Sequence, residues 1–286
     1  MFKKFITTMM LVSLVFIPSF GVSAQEDDSL SRVEDRGHLI AAISGTLYPS
    51  GYYNEDNELV GYNVDIIREV ADRLGLEVEF MEMGVDGMLT SAKSGQVDLV
   101  VEGVQPTKKR KEDFLIGEPI KYSFTSIVVR EEDNSGIESI EDFAGKKAAG
   151  GATTNYMQIA SQLGAELVTY DNATNDQYFL DVGSGRTDFI PNDYYLQKTS
   201  IDFFSDLGVK LGNVFYNPSF SAFVYNSESH ALQEAIDEVL LDMKEDGTLA
   251  KISATYFNGE DVSVQQEEIN GIKIDDLPVI ELEENE

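Results

Sequence analysis

From His38 onward, short apolar runs alternate with amphipathic segments closed by glycine, and few folds accept that alternation. Residues 38–44 (HLIAAIS) read as a strand. Val64, Ile67, Val70, Ala71 and Leu74 then recur at helical spacing, with Gly75 as the stop. Leu76, Val78 and Phe80 alternate with glutamates as a half-buried strand. Residues 86–94 form a short helix ended by Gly95, and 97–101 is an apolar run suited to a buried parallel strand. Repeated β-α-β units of this kind predict an α/β fold with parallel sheets, because crossover helices cover both sheet faces.

A second series follows the strand at 126–129. Ser139 and Asp142 mark a capped helix start, 147–151 and 166–170 are strands, and 155–163 is a helix closed by Gly164. A helix at 175–182 and a strand at 187–192 complete the series. Residues 220–225 then leave it as a strand, and Leu232, Ala235, Ile236, Val239, Leu240 and Met243 define the clearest helix of the chain. A final helix over 249–257 follows the turn at Asp246-Gly247. The economical arrangement is two Rossmann-like lobes with mostly parallel sheets, joined by two hinge crossings near 119–125 and 219–223. Lobe 1 takes 25–120 and 224–259, and lobe 2 takes 121–223. Beyond Gly259, ten acidic residues face the single Lys273. That segment, 260–286, reads as a loosely attached tail, although Ile272, Ile274, Leu277, Val279 and Ile280 could clip onto a surface.

The first residues are of another kind. Lys3 and Lys4 precede a largely apolar stretch over 5–22, and Val22-Ser23-Ala24 supplies the small residues that a signal peptidase reads. The expectation is a secretory signal cleaved after Ala24 and a periplasmic address. No other apolar stretch approaches the ~20 residues of a membrane span.

Composition narrows the chemistry. With no Cys, the 286-residue chain has no thiol nucleophile, disulfide framework or Cys-based metal site. His38 and His230 are the only histidines, and neither lies near a matching carboxylate or Ser motif; neither a metal nor any other cofactor is expected. A formal charge of −30 repels phosphate backbones, so no nucleic-acid partner is expected.

Five segments, in order, carry a resemblance: LVGYNVDIIREVADRLGLEVEF (59–80), DGMLTSAKSGQVDLVVEGVQPTKKRKEDFLIGEPI (86–120), GKKAAGGATTNY (145–156), GRTDFIPND (185–193) and MKEDGTLAKI (243–252). Together they resemble the periplasmic solute-binding proteins of polar-amino-acid ABC transporters, the bacterial extracellular solute-binding protein family 3. The resemblance implies a type II periplasmic binding protein: a monomer that closes on an amino acid between two lobes and docks on a membrane permease.

An amino acid bound in a closed cleft needs a bidentate cation, neutral donors and a carboxylate for its ammonium. Within the run Lys108, Lys109, Arg110, Lys111, the resemblance gives Arg110 the role of carboxylate clamp; otherwise it is one more solvated cation. Asp193, at the carboxyl end of a parallel strand, matches the family's ammonium-binding aspartate; the plain alternative is a helix cap at Tyr194. Thr153 and Thr154 enter a helix whose free N–H groups can hold a carboxylate, and the loop is one residue shorter than is usual, which leaves open which threonine makes contact. Tyr48, in LYPSGYY, stands where the family places an aromatic wall, and Gly103 is expected among the ligand-binding residues. Glu102 and Gln105 stand where the family often has small hydroxylated residues, and Val85 where it often has an aromatic. A glutamate there is costly unless paired. Glu102 is therefore expected to meet a positive or donor-rich ligand group, tilting preference toward basic or amide-bearing ligands, or else to bridge to Lys108, Lys109 or Lys121.

GSGRTD (183–188) lacks the third glycine of a dinucleotide fingerprint, and NEDNE (54–58) lacks the glycine and distal glutamate of a calcium loop. The function expected is a non-enzymatic receptor. A periplasmic cyclohexadienyl or arogenate-type dehydratase on the same scaffold is the alternative, with Glu102 as its general acid. Retention of both Arg110 and Asp193 argues for the receptor, since a prephenate-like dicarboxylate has no ammonium for Asp193.

Overall fold

The computed structural model describes residues 27–170 and 172–282. The predicted signal, residues 1–24, lies outside them. The chain begins with α1 (Ser29–Arg36), β1 (His38–Ile43) and a small antiparallel ribbon of β2 (Thr46–Leu47), β3 (Gly51–Tyr53) and β4 (Leu59–Val60). Next come α2 (Tyr62–Leu74), β5 (Glu77–Glu82), α3 (Val85–Lys93), β6 (Leu99–Val104) and α4 (Lys108–Asp113). The long β7 (Phe114–Arg130) leads into β8 (Lys147–Gly150), α5 (Asn155–Gln162), β9 (Glu166–Thr169) and α6 (Asn175–Gly183). Then follow β10 (Phe189–Asp193), α7 (Tyr194–Phe203) and β11 (Val209–Leu211). A return strand, β12 (Tyr216–Asn226), precedes α8 (His230–Glu245), α9 (Thr248–Tyr256) and the short hairpin of β13 (Glu268–Ile269) and β14 (Ile272–Lys273).

The main sheet has the order β5-β1-β6-β12-β7-β10-β8-β9, with β11 on β7. β1 pairs parallel with β5 and β6, and β8 pairs parallel with β9 and β10. These two parallel sets are the α/β halves expected from the alternating pattern. Between them run β7 and β12, antiparallel from Phe114 opposite Asn226 to Tyr216 opposite Thr125. Both crossings therefore lie side by side in one paired ribbon, with register shifts around Ala222, opposite Pro119. Proline gives no ladder N–H, and the irregularity sits where that donor is missing.

Apolar side chains cover both faces of each half. Leu39, Ile43, Ile67, Val70, Leu240 and Met243 form one cluster that joins β1 to α2 and α8. Ala42, Met88 and Val100 pack on the other face of the same strands. In the second half, Ile127, Phe143 and Met157 pack on one face, with Val128, Phe179 and Ile190 on the other. Each such fully buried aliphatic or aromatic side chain stabilises the fold by roughly 1.5–3 kcal/mol. Burial on two faces is why these strands read as continuous apolar runs.

Helices α2 and α1 differ from the sequence expectation. Helix α2 begins at Tyr62, two residues before its first periodic apolar position, because the N–H groups of Tyr62 and Asn63 donate to the carbonyls of Pro49 and Ser50 in a separate loop. Helix α1 is held from a distance: the Asp27 carboxylate accepts from the Ala231 N–H and Ser29 Oγ from the Leu232 N–H, which satisfies the start of α8.

The segment after Gly259 is not a loose tail through residue 282. Val262 is fully buried and its carbonyl accepts from the Tyr122 N–H on β7. Ile269 is buried, with Ile272, Ile274 and Leu277 against the first cluster and Ile280 and Leu282 against the second half. Asn217 closes the path, donating to the Pro278 and Ile280 carbonyls and accepting from the Ile280 N–H. Alternating apolar residues outweigh the acidic composition, so the segment forms a strap across both halves.

Candidate functional site

A cavity of about 140 Å³ opens between the carboxyl ends of β6 and β10. Glu102, Gly103, Gln105, Arg110, Thr154 and Asp193 line it, so the fold brings together six of the eight residues singled out from the sequence. Tyr48 and Thr153 are not among the lining residues.

Arg110 reaches the cavity from α4, the short helix formed by the basic run. Thr107 caps that helix, its Oγ1 accepting from the Arg110 N–H at 3.2 Å. The guanidinium donates through Nη1 to the Gln105 carbonyl at 2.9 Å and through Nη2 to the Thr153 carbonyl at 3.4 Å. Thr153 thus serves the site through its backbone, orienting the arginine. Burial lowers the Arg110 pKa from its ordinary value, against the opposing influence of Tyr156. A guanidinium titrates so far above neutrality that it remains a cation.

Asp193 ends β10 and caps α7. Oδ1 accepts from the Leu196 N–H at 2.9 Å and from Lys121 Nζ at 2.9 Å, so the capping expected as an alternative occupies one oxygen. Oδ2 is buried and has no hydrogen-bond partner among the described residues. A buried carboxylate oxygen without a donor is costly, and this one belongs to a residue in the cavity wall.

Thr154 caps α5: its Oγ1 accepts from the Met157 N–H at 3.3 Å and donates to the Gly151 carbonyl at 2.9 Å. Beside it, Asn155 Nδ2 donates to Gln105 Oε1 at 3.1 Å, linking α5 to the end of β6 across the cavity. Gly103 has φ of +78°, and a Cβ there would stand 3.2 Å from Asn63 Nδ2. Glycine is the residue that makes this turn without strain.

Glu102 does not form the salt bridges considered from the sequence with Lys109 or Lys121, which pair instead with Asp113 and Asp193. Ser44 holds it, giving its N–H to Oε2 at 2.9 Å and its hydroxyl to Oε1 at 2.7 Å. Burial pushes the Glu102 pKa above its ordinary value, and the Ser44 hydrogen bonds oppose that rise.

Tyr48 lies in an aromatic cluster outside the cavity, its ring stacked on Phe203 at 4.0 Å and 4.8 Å from Tyr52. Its backbone N–H donates to Asn175 Oδ1 at 3.0 Å, and its carbonyl accepts from Ser200 Oγ at 2.7 Å. Tyr48 therefore fastens the β2–β3 loop to α6 and α7.

Among the lining residues that the sequence did not assign to the site are Lys121, Asn155 and Tyr156. A lysine at position 121, midway along β7 beside the apolar Ile120, was the available signal. Burial raises the Tyr156 hydroxyl pKa well above its ordinary value, with Asp193 adding to the shift and Arg110 opposing it, which puts all three groups in one electrostatic neighbourhood.

Comparison with known proteins identifies the family. The family model for bacterial extracellular solute-binding proteins, family 3, matches residues 39–259. The chain is 47% identical over 242 residues to the probable ABC transporter extracellular-binding protein YckB of Bacillus subtilis, covering 83% of this chain and 84% of that one. It is 31% identical to the L-cystine-binding protein TcyA of the same organism, over 91% of this chain and 99% of that one. A crystal structure of YckB from Bacillus subtilis superposes with a TM-score of 0.68 at 45% identity, covering 88% of this chain and 99% of that one. The chain belongs to the bacterial extracellular solute-binding proteins, family 3.

Proposed function

We propose that this protein is an exported receptor that binds an amino acid between its two lobes and delivers it to the permease of an ABC importer. The observation that carries the reading is the pairing, in one cavity, of the Arg110 guanidinium with the unpartnered Oδ2 of Asp193. A ligand carboxylate takes Arg110 and the N–H groups at the start of α5, and the ligand ammonium donates to Asp193 Oδ2. The lobes are 25–120 with 224–259, and 121–223, and they close about the β7–β12 ribbon. TcyA, named for L-cystine, supports an amino-acid ligand, and YckB, named as an ABC transporter binding protein, supports the importer.

The receptor acts as a monomer, without catalysis, after export and removal of residues 1–24. Glu102 is committed to Ser44, and the open oxygen of Asp193 favours a ligand bearing an ammonium over the dicarboxylate of a dehydratase. A thermal-shift screen of the mature chain against the twenty amino acids and cystine tests the reading. A rise in melting temperature with at least one of them is expected, because a ligand that binds only the folded state stabilises it. Melting unmoved by all of them at millimolar concentration contradicts it.

A further inference from the structure

The roles given to Arg110 and Asp193 leave one buried cation over. Lys121 stands on β7 opposite Ser221 of β12, and its side chain is 8% exposed in the wall of the same cavity. Its ammonium meets Asp193 Oδ1 at 2.9 Å and lies 6.0 Å from the centre of the Phe257 ring. A lysine held inside a ligand cavity alters which ligands that cavity can close upon.

The acidic and basic lining residues among the described residues are Glu102 and Asp193 against Arg110 and Lys121. The two charges of each sign on these described residues balance one another. The carboxylate and ammonium of an amino acid cancel, so a ligand with an uncharged side chain preserves that balance. A guanidinium or ammonium side chain adds a positive charge to a closed space that already holds Lys121, and an uncompensated charge out of water is strongly disfavoured. The same cavity without Lys121 would carry a spare negative charge and suit a cationic ligand.

Resting on the amino-acid reading above, we propose that Lys121 is a specificity residue that sets the site for amino acids of no net charge and excludes arginine and lysine. The sequence-based expectation is narrowed accordingly: of basic and amide-bearing ligands, the amide-bearing ones remain.

Calorimetric titration of the full mature chain with the twenty amino acids and cystine, in wild type, Lys121→Gln and Lys121→Arg, tests the assignment. Glutamine at 121 removes the charge and keeps an N–H for Asp193. The expected tightest wild-type ligand carries no net charge and binds at least tenfold more tightly than arginine or lysine. Lys121→Gln is expected to shrink that ratio tenfold or more, and Lys121→Arg to preserve it. A tightest wild-type ligand with net charge overturns the proposal, as does an unchanged ratio in folded Lys121→Gln. If Lys121→Gln does not fold, the wild-type ratio and its retention in Lys121→Arg decide. Binding of no amino acid at all overturns the receptor reading and this inference with it, whereas tight arginine binding overturns the inference alone.

Discussion

Lys121 Nζ stands 2.9 Å from Asp193 Oδ1, with the two side chains 8% and 4% exposed, so a buried ion pair ties the hinge strand β7 to the end of β10. Removing one partner strands the other charge away from water, an effect of about 3–5 kcal/mol. Lys121→Met or Asp193→Asn is expected to lower the urea midpoint accordingly, and the double variant to recover most of the loss. Additive losses in the double variant would show that the two groups are not energetically coupled.

Glu102 gives the protein a pH dependence of definite sign. Its folded-state pKa is raised above the ordinary 4.5 by burial, so between 4.5 and the raised value the folded state holds the proton more tightly than the unfolded one. This contribution to stability is present at low pH and falls as pH rises through that window. Relative to Glu102→Gln, wild type is therefore expected to lose melting temperature as pH increases from about 4.5, then to level off. A difference between the two melting curves that stays flat across pH 4–8 contradicts the assignment.

The C-terminal strap is expected to carry part of the fold's stability. Val262 and Ile269 are buried, and Ile280 packs on the second half. Deleting 262–286 removes these contacts, at roughly 1.5–3 kcal/mol for each fully buried side chain as an upper bound. A loss of about 3 kcal/mol or more in urea unfolding is expected. An unchanged midpoint would mean that the strap is only laid on the surface.

Tyr48 joins the β2–β3 loop to α6 and α7 through Asn175 and Ser200, outside the cavity. If these bonds hold the closed arrangement, Asn175→Ala lowers ligand affinity without touching the ligand. Loss of a hydrogen bond worth about 1 kcal/mol corresponds to roughly a fivefold weaker apparent affinity and a larger radius of gyration by small-angle scattering. Unaltered affinity and radius would assign Tyr48 to local packing.

Much of this was legible because it is local or periodic. The apolar spacing of Val64, Ile67, Val70 and Ala71 marked α2, and the apolar run before Glu102 marked a strand covered on both faces. Arg110 and Asp193, both in the cavity wall, were singled out through motif resemblance and strand ends. What escaped depends on partners far along the chain. Helix α1 is tied down by Ala231 and Leu232, and the strap by Tyr122 and Asn217. Lys121 was weighed only as a partner for Glu102; no local pattern reveals that Asp193, 72 positions on, takes it instead. Tyr48 was placed against ligand by resemblance, whereas Phe203 supplies a ring for it to stack on.

The central claim is that Arg110 and Asp193 together hold an amino acid, and calorimetry on Arg110→Ala and Asp193→Asn tests it most directly. Truncating one partner of a desolvated charge contact typically costs ~2–5 kcal/mol, about 30-fold or more in affinity. The expected result is one-to-one binding of an amino acid by wild type and at least that loss in each variant, with circular dichroism unchanged. Near-wild-type affinity in either folded variant would contradict the account.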